Sequence, residues 1–480
     1  MEFEYIIIGA GAAGLSMAAL LEKRGHNVCL LEAHSIPGGC SSYFERDGFI
    51  FDAGATTLSG LKAGRPLYNL INELNLKLDL VQVDPGIVTI INNQTINRYS
   101  DPEKWIKELT NFFPGINHFK LWKRLRDIEQ SGWQLISTFK NIPIRSLKSL
   151  ISFLSFKLFL ALKMTPELFR SVDNELSKFQ ITDQNYLNMI DEMLFITAQN
   201  GRAETPLLMG AMGLCYPEDT SYAMGGMKAF SEALANKCSN ILYRHEVQKI
   251  VPLKNGFQVT TKQGNFKASK VISTIPVWNL SALFDDLKAK EFFSKNKMPD
   301  PKDCWSAFMI YLTIPLNTKR VGQYFQIHCD EIPNCETKSY FVSLSHPQDL
   351  ARSHSERQVV TISTHTKSSD WSELNKNDYK IKKEQTLLFV LESFKKEFHL
   401  KDNEIQNVNT GSPKTFYKYT KRFNGLVGGI PHSINKNPLT YIIAHSPYEN
   451  FYMIGDTQFP GQGIAAVVLG TQNLLAYLSK

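Results

Sequence analysis

Apolar runs that stop at glycine turns mark both ends of this chain, and helical spacing dominates its first half in between. Tyr5-Ile6-Ile7-Ile8 is an apolar strand that runs into Gly9-Ala10-Gly11-Ala12-Ala13-Gly14. A helix follows, and then the short strand Val28-Cys29-Leu30-Leu31, which ends on Glu32. Near the other end, Phe451-Tyr452-Met453-Ile454 repeats the pattern, with Gly455-Asp456 at its close and an Ala- and Leu-rich helix from Ile464 to Leu478. Asp47-Gly48 marks a turn between Tyr43-Phe44 and Phe49-Ile50-Phe51. Pro66 to Leu78 reads as a helix, and Val81 to Ile96 as short strands around Asn92-Asn93. Val247 to Val251 and Phe257 to Thr261 form a hairpin over Asn255-Gly256, and Val271-Ile272-Ser273 extends it into a meander.

Residues 101–140 are helical, opened by Asp101-Pro102-Glu103, with Trp105, Leu109, Phe112, Trp122, Leu125 and Trp133 on helical spacing. Over 144–164, Leu147, Leu150, Ile151, Leu154, Leu158 and Leu162 make one continuous face. Arg145, Lys148, Lys157 and Lys163 share the opposite half with Phe153, Phe156 and Phe159. That mixture suits a helix lying in a lipid interface with snorkelling lysines, or a core helix whose phenylalanines meet other parts of the protein. Residues 183–203 carry no single signal. Gly225-Gly226 opens an amphipathic helix to Lys237, and 290–440 mixes strands (Phe308 to Leu312, Val359 to Ser363) with a helix near 383–397.

Composition narrows the class. At 480 residues, 43% hydrophobic and 21% charged, the chain is folded and exceeds one typical core. A net charge of +7 is mild for this length: it does not argue for nucleic acid and is compatible with an anionic membrane surface. The seven cysteines have neither CxxC spacing nor an even count, so no disulfide framework or zinc site is expected, and a reducing compartment is. No eighteen-residue apolar stretch occurs, and the apolar run near the N-terminus is a strand rather than a leader, so no membrane span is expected.

The glycine turns supply the chemistry. Gly9 permits the turn off the strand, Gly11 lets backbone approach a pyrophosphate, and Gly14 lets the helix lie close on the sheet. The helix N-terminus offers N–H groups and partial positive charge to phosphate. Glu32, eighteen residues past Gly14, can accept both ribose hydroxyls and would repel a 2′-phosphate. Pro37-Gly38-Gly39, followed by Cys40-Ser41, puts a second small-residue turn close to that ribose. Gly54-Ala55-Thr56-Thr57 lets something flat and large lie on the backbone. Gly455-Asp456 and the helix start at Gly463-Ile464 add a carboxylate for a polyol chain and a positive dipole end for a developing anion. A dinucleotide gripped at both ends of the chain in this way fits FAD better than exchangeable NAD.

Together, Gly9 to Gly14, Glu32, Pro37-Gly38-Gly39, Gly48 to Thr56 and Gly455 to Gly463 make the chain similar to the phytoene desaturase and carotenoid isomerase family, a branch of the FAD-dependent amine-oxidase-like superfamily. The strongest likeness is to bacterial carotenoid 3′,4′-desaturases and carotenoid cis–trans isomerases. The resemblance covers the whole chain, specifically at both ends and loosely in the middle. It implies an α/β (α+β mixed) fold, with a Rossmann-like FAD-binding domain of the amine-oxidase/GDI type interleaved with a substrate-binding domain. The FAD-binding parts are expected at 1–110, 205–290 and 440–480, a helical substrate- and membrane-facing segment at 111–204, and the substrate domain at 291–439. It also implies that Val247 meets adenine through its backbone and that Ala33 lies beside the ribose carboxylate. Gly54 to Thr57 would lie against the isoalloxazine, and the middle of the chain would form a substrate tunnel. The implied activity is oxidoreduction at C–C and C=C bonds of a long apolar polyene such as a carotenoid, on the cytoplasmic side of a membrane as a peripheral protein.

Substrate and direction stay open at this level. Gly38-Gly39-Cys40-Ser41 and Gly54-Ala55-Thr56 lean toward desaturases, whereas Phe459-Pro460-Gly461-Gln462-Gly463 leans toward isomerases. Non-redox isomerisation, a retinol-saturase-like reduction, an amine or protoporphyrinogen oxidase and a flavin-free prenyl-lipid-binding protein of the GDI type are the alternatives. Arg202, Glu204, Glu218 and Asp219, in the linker before the last flavin-proximal helix, are candidate proton handlers, with surface charge the plainer explanation for each. No catalytic side chain and no metal ligand is assigned.

Overall fold

The computed structural model describes residues 2–138, 164–295, 300–354, 356–436 and 446–479. The expected amphipathic helix over 144–164 lies outside these residues except for Met164. Two seven-stranded sheets organise the rest.

The first sheet runs in the order Val247–Leu253, Gly256–Thr261, Gly264–Ser273, Glu2–Ile8, Val28–Leu31, Ile241–Leu242. Gly264–Ser273 is long enough to have different neighbours along one edge. Its first half pairs antiparallel with Gly256–Thr261, and Val271, Ile272 and Ser273 pair in parallel with Phe451, Tyr452 and Met453. Its other edge pairs in parallel with Glu2–Ile8, so Ile7 sits between Ile272 and Leu30. The two ends of the chain therefore meet in one sheet.

Side-chain alternation assigns the faces of that sheet. Tyr5, Ile7, Val28, Leu30, Ile272 and Tyr452 pack with the helices Ala12–Lys23, Gly226–Ala235 and Ile464–Leu478. Ile6, Ile8, Cys29, Leu31, Val271 and Phe451 pack with Trp278, Phe284 and Phe293. Strands covered on both faces read as continuous apolar runs, which is why Tyr5 to Ile8 shows no polar alternation.

The second sheet runs Gln406–Gly411, Ser306–Pro315, Arg357–Thr366, Ser339–Leu344, Tyr324–His328, Ile87–Ile91, Gln94–Arg98, with Lys376–Phe398 laid against it through Val390, Phe394 and Phe398. Residues 87–98 fall inside the 1–110 segment yet belong to this sheet. A helical layer of Pro102–Phe112, His118–Thr138, Val172–Lys178, Gln184–Ala198 and Leu207–Leu214 closes around Trp105, Trp122 and Tyr186.

Local readings differ from the structure in places. The helix opening at Pro66 stops at Leu74, not Leu78, because Asn75 adopts the left-handed conformation (φ 48°) and caps it. Residues 183–203 contain a full helix, Gln184–Ala198, capped by Asp183, which accepts from the N–H groups of Asn185 and Tyr186. Its buried residues include Met189, Ile190, Met193 and Leu194 together with the polar Glu192. Burial on more than one face erased the amphipathic signal.

Candidate functional site

The Gly9 to Gly14 turn does structurally what its spacing predicts. A Cβ on Gly14 would lie 1.8 Å from the Gly9 carbonyl oxygen, so the helix Ala12–Lys23 crosses the strand end at backbone contact. Gly11 is the N-cap of that helix and offers no side-chain cap to its first N–H groups. A Cβ there would meet nothing nearer than the Gly38 oxygen at 4.0 Å, so the space over the turn is open. Gly38 N–H donates to the Ala10 oxygen (2.8 Å), and Ser41 Oγ donates back to the Gly38 oxygen (2.8 Å). The second small-residue turn thus lies directly against the first.

Glu32 anchors the strand end beside them. One carboxylate oxygen accepts from Ala10 N–H (2.6 Å) and the other from His34 N–H (2.7 Å). Burial pushes its carboxyl above the usual carboxylate range, and these backbone donors work against that rise. Gly455-Asp456 arrives from the far end, and the helix Ile464–Leu478 starts at Gly463, again without a side-chain cap. Gly463 holds φ +87°, a left-handed value that suits glycine, and a Cβ there would meet nothing within 4 Å.

These parts line one cavity of about 1460 Å³. Gly9, Gly11, Ala12, Ala13, Glu32, Ala33, Gly38, Gly39, Cys40, Ser41, Gly54, Ala55, Thr56, Val247, Gly455, Asp456, Gly463 and Ile464 all face it. Gly14 lies beneath the turn, in the helix–strand contact. Arg202, Glu204, Glu218 and Asp219 are not among the cavity's lining residues. Arg202 pairs with Asp173 and Asp191, and Glu204 accepts from Ser433 Oγ (3.0 Å). Glu218 is held by the buried Arg98 guanidinium (2.8 Å), while Asp219 accepts the N–H groups of Gly60 and Leu61. Their charges are committed to local structure.

The strip from Ala53 to Thr57 is fixed from behind by the second sheet and its neighbours. Tyr311 donates to the Ala53 oxygen (2.6 Å) and Tyr324 to the Thr56 oxygen (3.0 Å). Thr56 Oγ1 pairs with Ser343 Oγ and Thr57 Oγ1 with Tyr216 Oη, each at 2.6 Å. Both threonine hydroxyls and the Ala53 and Thr56 carbonyls are therefore engaged, and Ala53 to Thr57 all line the cavity. Beyond this strip, Trp133, Ile136, Met193, Ile196, Met209 and Met212 line the same space, and among the described residues the lining between 133 and 213 carries no Asp, Glu, Lys or Arg. His365 and His432 also line the cavity, and burial pushes both imidazoles down to about 4, so they are neutral at pH 7.

FAD fits this donor set. Open backbone over Gly11 suits a pyrophosphate, Glu32 suits ribose hydroxyls, and two uncapped helix N-termini open onto one elongated space. Sequence reasoning missed the tyrosines behind the 53–57 strip and Arg422, which forms an ion pair with Asp456 (2.7 Å). Arg422 sits in the stretch Lys414 to Arg422, where four cations and three aromatic residues look like an ordinary basic surface. Only the contact with Asp456 singles it out. Among the described residues no cluster suited to a metal ion is present.

Comparison with known proteins agrees with the geometry. The chain is 28% identical to a chloroplastic prolycopene isomerase of an Oncidium hybrid cultivar, over 97% of this chain and 82% of the relative. It is 23% identical to a 1-hydroxycarotenoid 3,4-desaturase of Flavobacterium, over 97% of each. Among solved structures, a redesigned putrescine oxidase superposes with a TM-score of 0.66 at 14% identity, over the whole of both chains, which shows a shared fold. An oxidoreductase from Methanosarcina mazei superposes with a TM-score of 0.63 at 16% identity, over 99% of this chain and 100% of the other. The family description "flavin containing amine oxidoreductase" matches residues 12–318, well over half of the chain, and the protein belongs to that family of FAD-dependent enzymes.

Proposed function

We propose that the protein is an FAD-dependent oxidoreductase of the desaturase type, acting on C–C and C=C bonds of a long apolar polyene such as a carotenoid. The observation that carries this reading is the continuity of one cavity from the nucleotide turns into an arm whose described lining residues from Trp133 to Gly213 include no charged side chain. A polyene needs apolar walls and few polar partners. The names of the full-length relatives, a prolycopene isomerase and a hydroxycarotenoid desaturase, point to the same substrate class.

FAD, when bound, supplies the hydride acceptor. The protein's own groups do the rest. The helix end at Gly463-Ile464 stabilises negative charge that builds up beside it. The tied-back strip from Ala53 to Thr57 offers a flat seat without competing hydroxyls. Met193, Ile196, Met209 and Met212 exclude water and adapt to a long chain. His365 and His432 face the cavity as neutral rings whose burial disfavours protonation, so they add polar contacts to its wall without adding charge.

The alternative of non-redox isomerisation has a specific support, the prolycopene isomerases that align over 97% of this chain. One experiment separates the two. Purified protein with FAD is incubated anaerobically with cis- and all-trans-carotenoids, and flavin absorbance and pigment are followed together. Loss of the oxidised flavin band in proportion to new double bonds supports desaturation. Isomer change by pre-reduced protein without net flavin oxidation sinks it in favour of isomerisation.

We further infer peripheral attachment to the cytoplasmic side of a membrane, which would hand the substrate over from lipid. Support comes from the alternation of Leu, Lys and Phe over 144–164 and from Trp133 and Ile136, which line the cavity just before that segment. No helix among the described residues is long and apolar enough to cross a membrane. Co-sedimentation with anionic liposomes should fall when Phe153, Phe156 and Phe159 become Ser; unchanged binding would refute the attachment.

A further inference from the structure

The cofactor cavity contains a fixed cation that comes from outside the glycine motifs. Arg422 follows the helix Pro413–Thr420 and reaches into the place where both ends of the chain meet. Its guanidinium pairs with Asp456 Oδ2 (2.7 Å), its Nε donates to the Leu426 oxygen (2.5 Å), and it lies against the half-buried Cys40, one residue past Gly39. Arg422 and Asp456 are only 11% and 17% exposed, so water screens this pair poorly. Cys40 in turn accepts the Ala55 N–H at its carbonyl (3.0 Å), and the Gly39 Cβ direction points at Gly11 Cα, 3.3 Å away. Arg422 thus stands among the pyrophosphate turn, the expected polyol carboxylate and the 53–57 strip.

We propose that Arg422 is a positioning residue for FAD, the side chain that neutralises and orients the pyrophosphate while Asp456 holds its fork in place. The inference rests on the FAD reading and adds a residue to it. The charge arithmetic favours this role. A pyrophosphate carries two negative charges, and Asp456 brings a third into the same poorly screened space. Uncapped helix N-termini supply about half a unit of positive charge each. Without Arg422 the carboxylate would repel the ligand that it is placed to hold. The guanidinium has about five N–H donors, and Leu426 and Asp456 each take one, which leaves donors for phosphate oxygens. Lys418 and Lys421 also line the cavity and lend positive potential around it, but no bond to Asp456 or Cys40 fixes either of them.

The test is FAD titration of whole protein, followed by flavin fluorescence quenching, for wild type, Arg422→Met, Arg422→Lys and the double variant Arg422→Met/Asp456→Asn. Circular dichroism checks that each is folded. Arg422→Met should weaken FAD binding about tenfold or more, with Arg422→Lys in between because it keeps the charge and loses the fork. The double variant should regain part of the loss, since it also removes the stranded carboxylate, and raised salt should weaken FAD binding less in Arg422→Met than in wild type, a difference that a merely structural ion pair would not produce. Wild-type affinity in Arg422→Met, or a double variant weaker than the single, would overturn the proposal. Should Arg422→Met fail to fold, unaltered FAD affinity in Arg422→Lys would do the same. A folded wild type that takes up no FAD would instead bring down the cofactor reading.

Discussion

At the scale of single residues, two half-buried histidines make a prediction whose sign follows from their surroundings. Burial lowers His365 and His432 to about 4 from an ordinary value near 6.5. Between those values the unfolded chain binds protons that the folded chain refuses. Each neutral ring therefore contributes stability that is complete above about 6.5 and is lost as pH falls through the folded value, at most roughly 3 kcal/mol per ring. Denaturant unfolding from pH 7.5 to 4.5 should show stability falling toward acid, and His432→Gln should flatten that slope; an unchanged slope would exclude His432 as a contributor. The residues that were legible in the sequence are those whose role is set by neighbours along the chain. Gly9 to Gly14 and Glu32 lie on one strand–turn–helix–strand unit, so their spacing was enough. Arg422, Tyr311, Tyr324, His365 and His432 gain their roles only when another element arrives, and an isolated Arg, Tyr or His carries no local mark of that.

At the scale of elements, the last helix is as much part of the nucleotide unit as the first. Ile464–Leu478 lies beside Ala12–Lys23, and Thr471 Oγ1 reaches the Ala13 oxygen (3.4 Å). Leu475 is buried in the same cluster as Leu15, Leu67 and Leu70. Leu475→Ala should cost about 2 to 5 kcal/mol. If the helix is integral to the cofactor site, FAD release and loss of secondary structure should move to lower denaturant together; flavin release unaffected while the fold weakens would separate the two. The terminal strands and this helix were legible because each pairs an apolar run with a glycine stop. Gln184–Ala198 was not, since Glu192 is drawn inside to accept from Ser339 Oγ (2.5 Å) and the Lys338 N–H (3.1 Å). A buried acid in mid-helix breaks the very periodicity that identifies a helix.

At the scale of the whole molecule, a buried polar knot ties the strand Phe49–Asp52 to the helix Gly226–Ala235 and to the loop between Ser339–Leu344 and Arg357–Thr366. Asp52 pairs with Arg352 (2.9 Å), both almost fully buried, and accepts the Met227 N–H (2.8 Å) at the start of Gly226–Ala235. Arg352 also donates to the Tyr222 oxygen (3.1 Å), whose own hydroxyl donates to Asp349 (2.6 Å). Removing one partner strands a charge, so Arg352→Met should destabilise the protein by about 3 to 5 kcal/mol. Replacing both partners, as Asp52→Asn with Arg352→Met, should recover part of that; thermal unfolding of the set measures it, and equal loss in the double variant would refute the pairing argument. Because the knot adjoins Ala53 and Gly54, its loss should also perturb the visible flavin spectrum.

The long strand Gly264–Ser273 has a further consequence, for synthesis. It receives the first strand of the chain on one edge and, along Val271 to Ser273, waits for Phe451 to Met453 on the other. A chain leaving the ribosome exposes the Gly9 to Gly14 turn hundreds of residues before Asp456, Gly463 and the helix Ile464–Leu478. Cofactor capture then waits until residues 451–478 have emerged to complete the site. Nascent chains stalled at residue 440 should hold no FAD, while chains extended past 478 and clear of the exit tunnel should hold it.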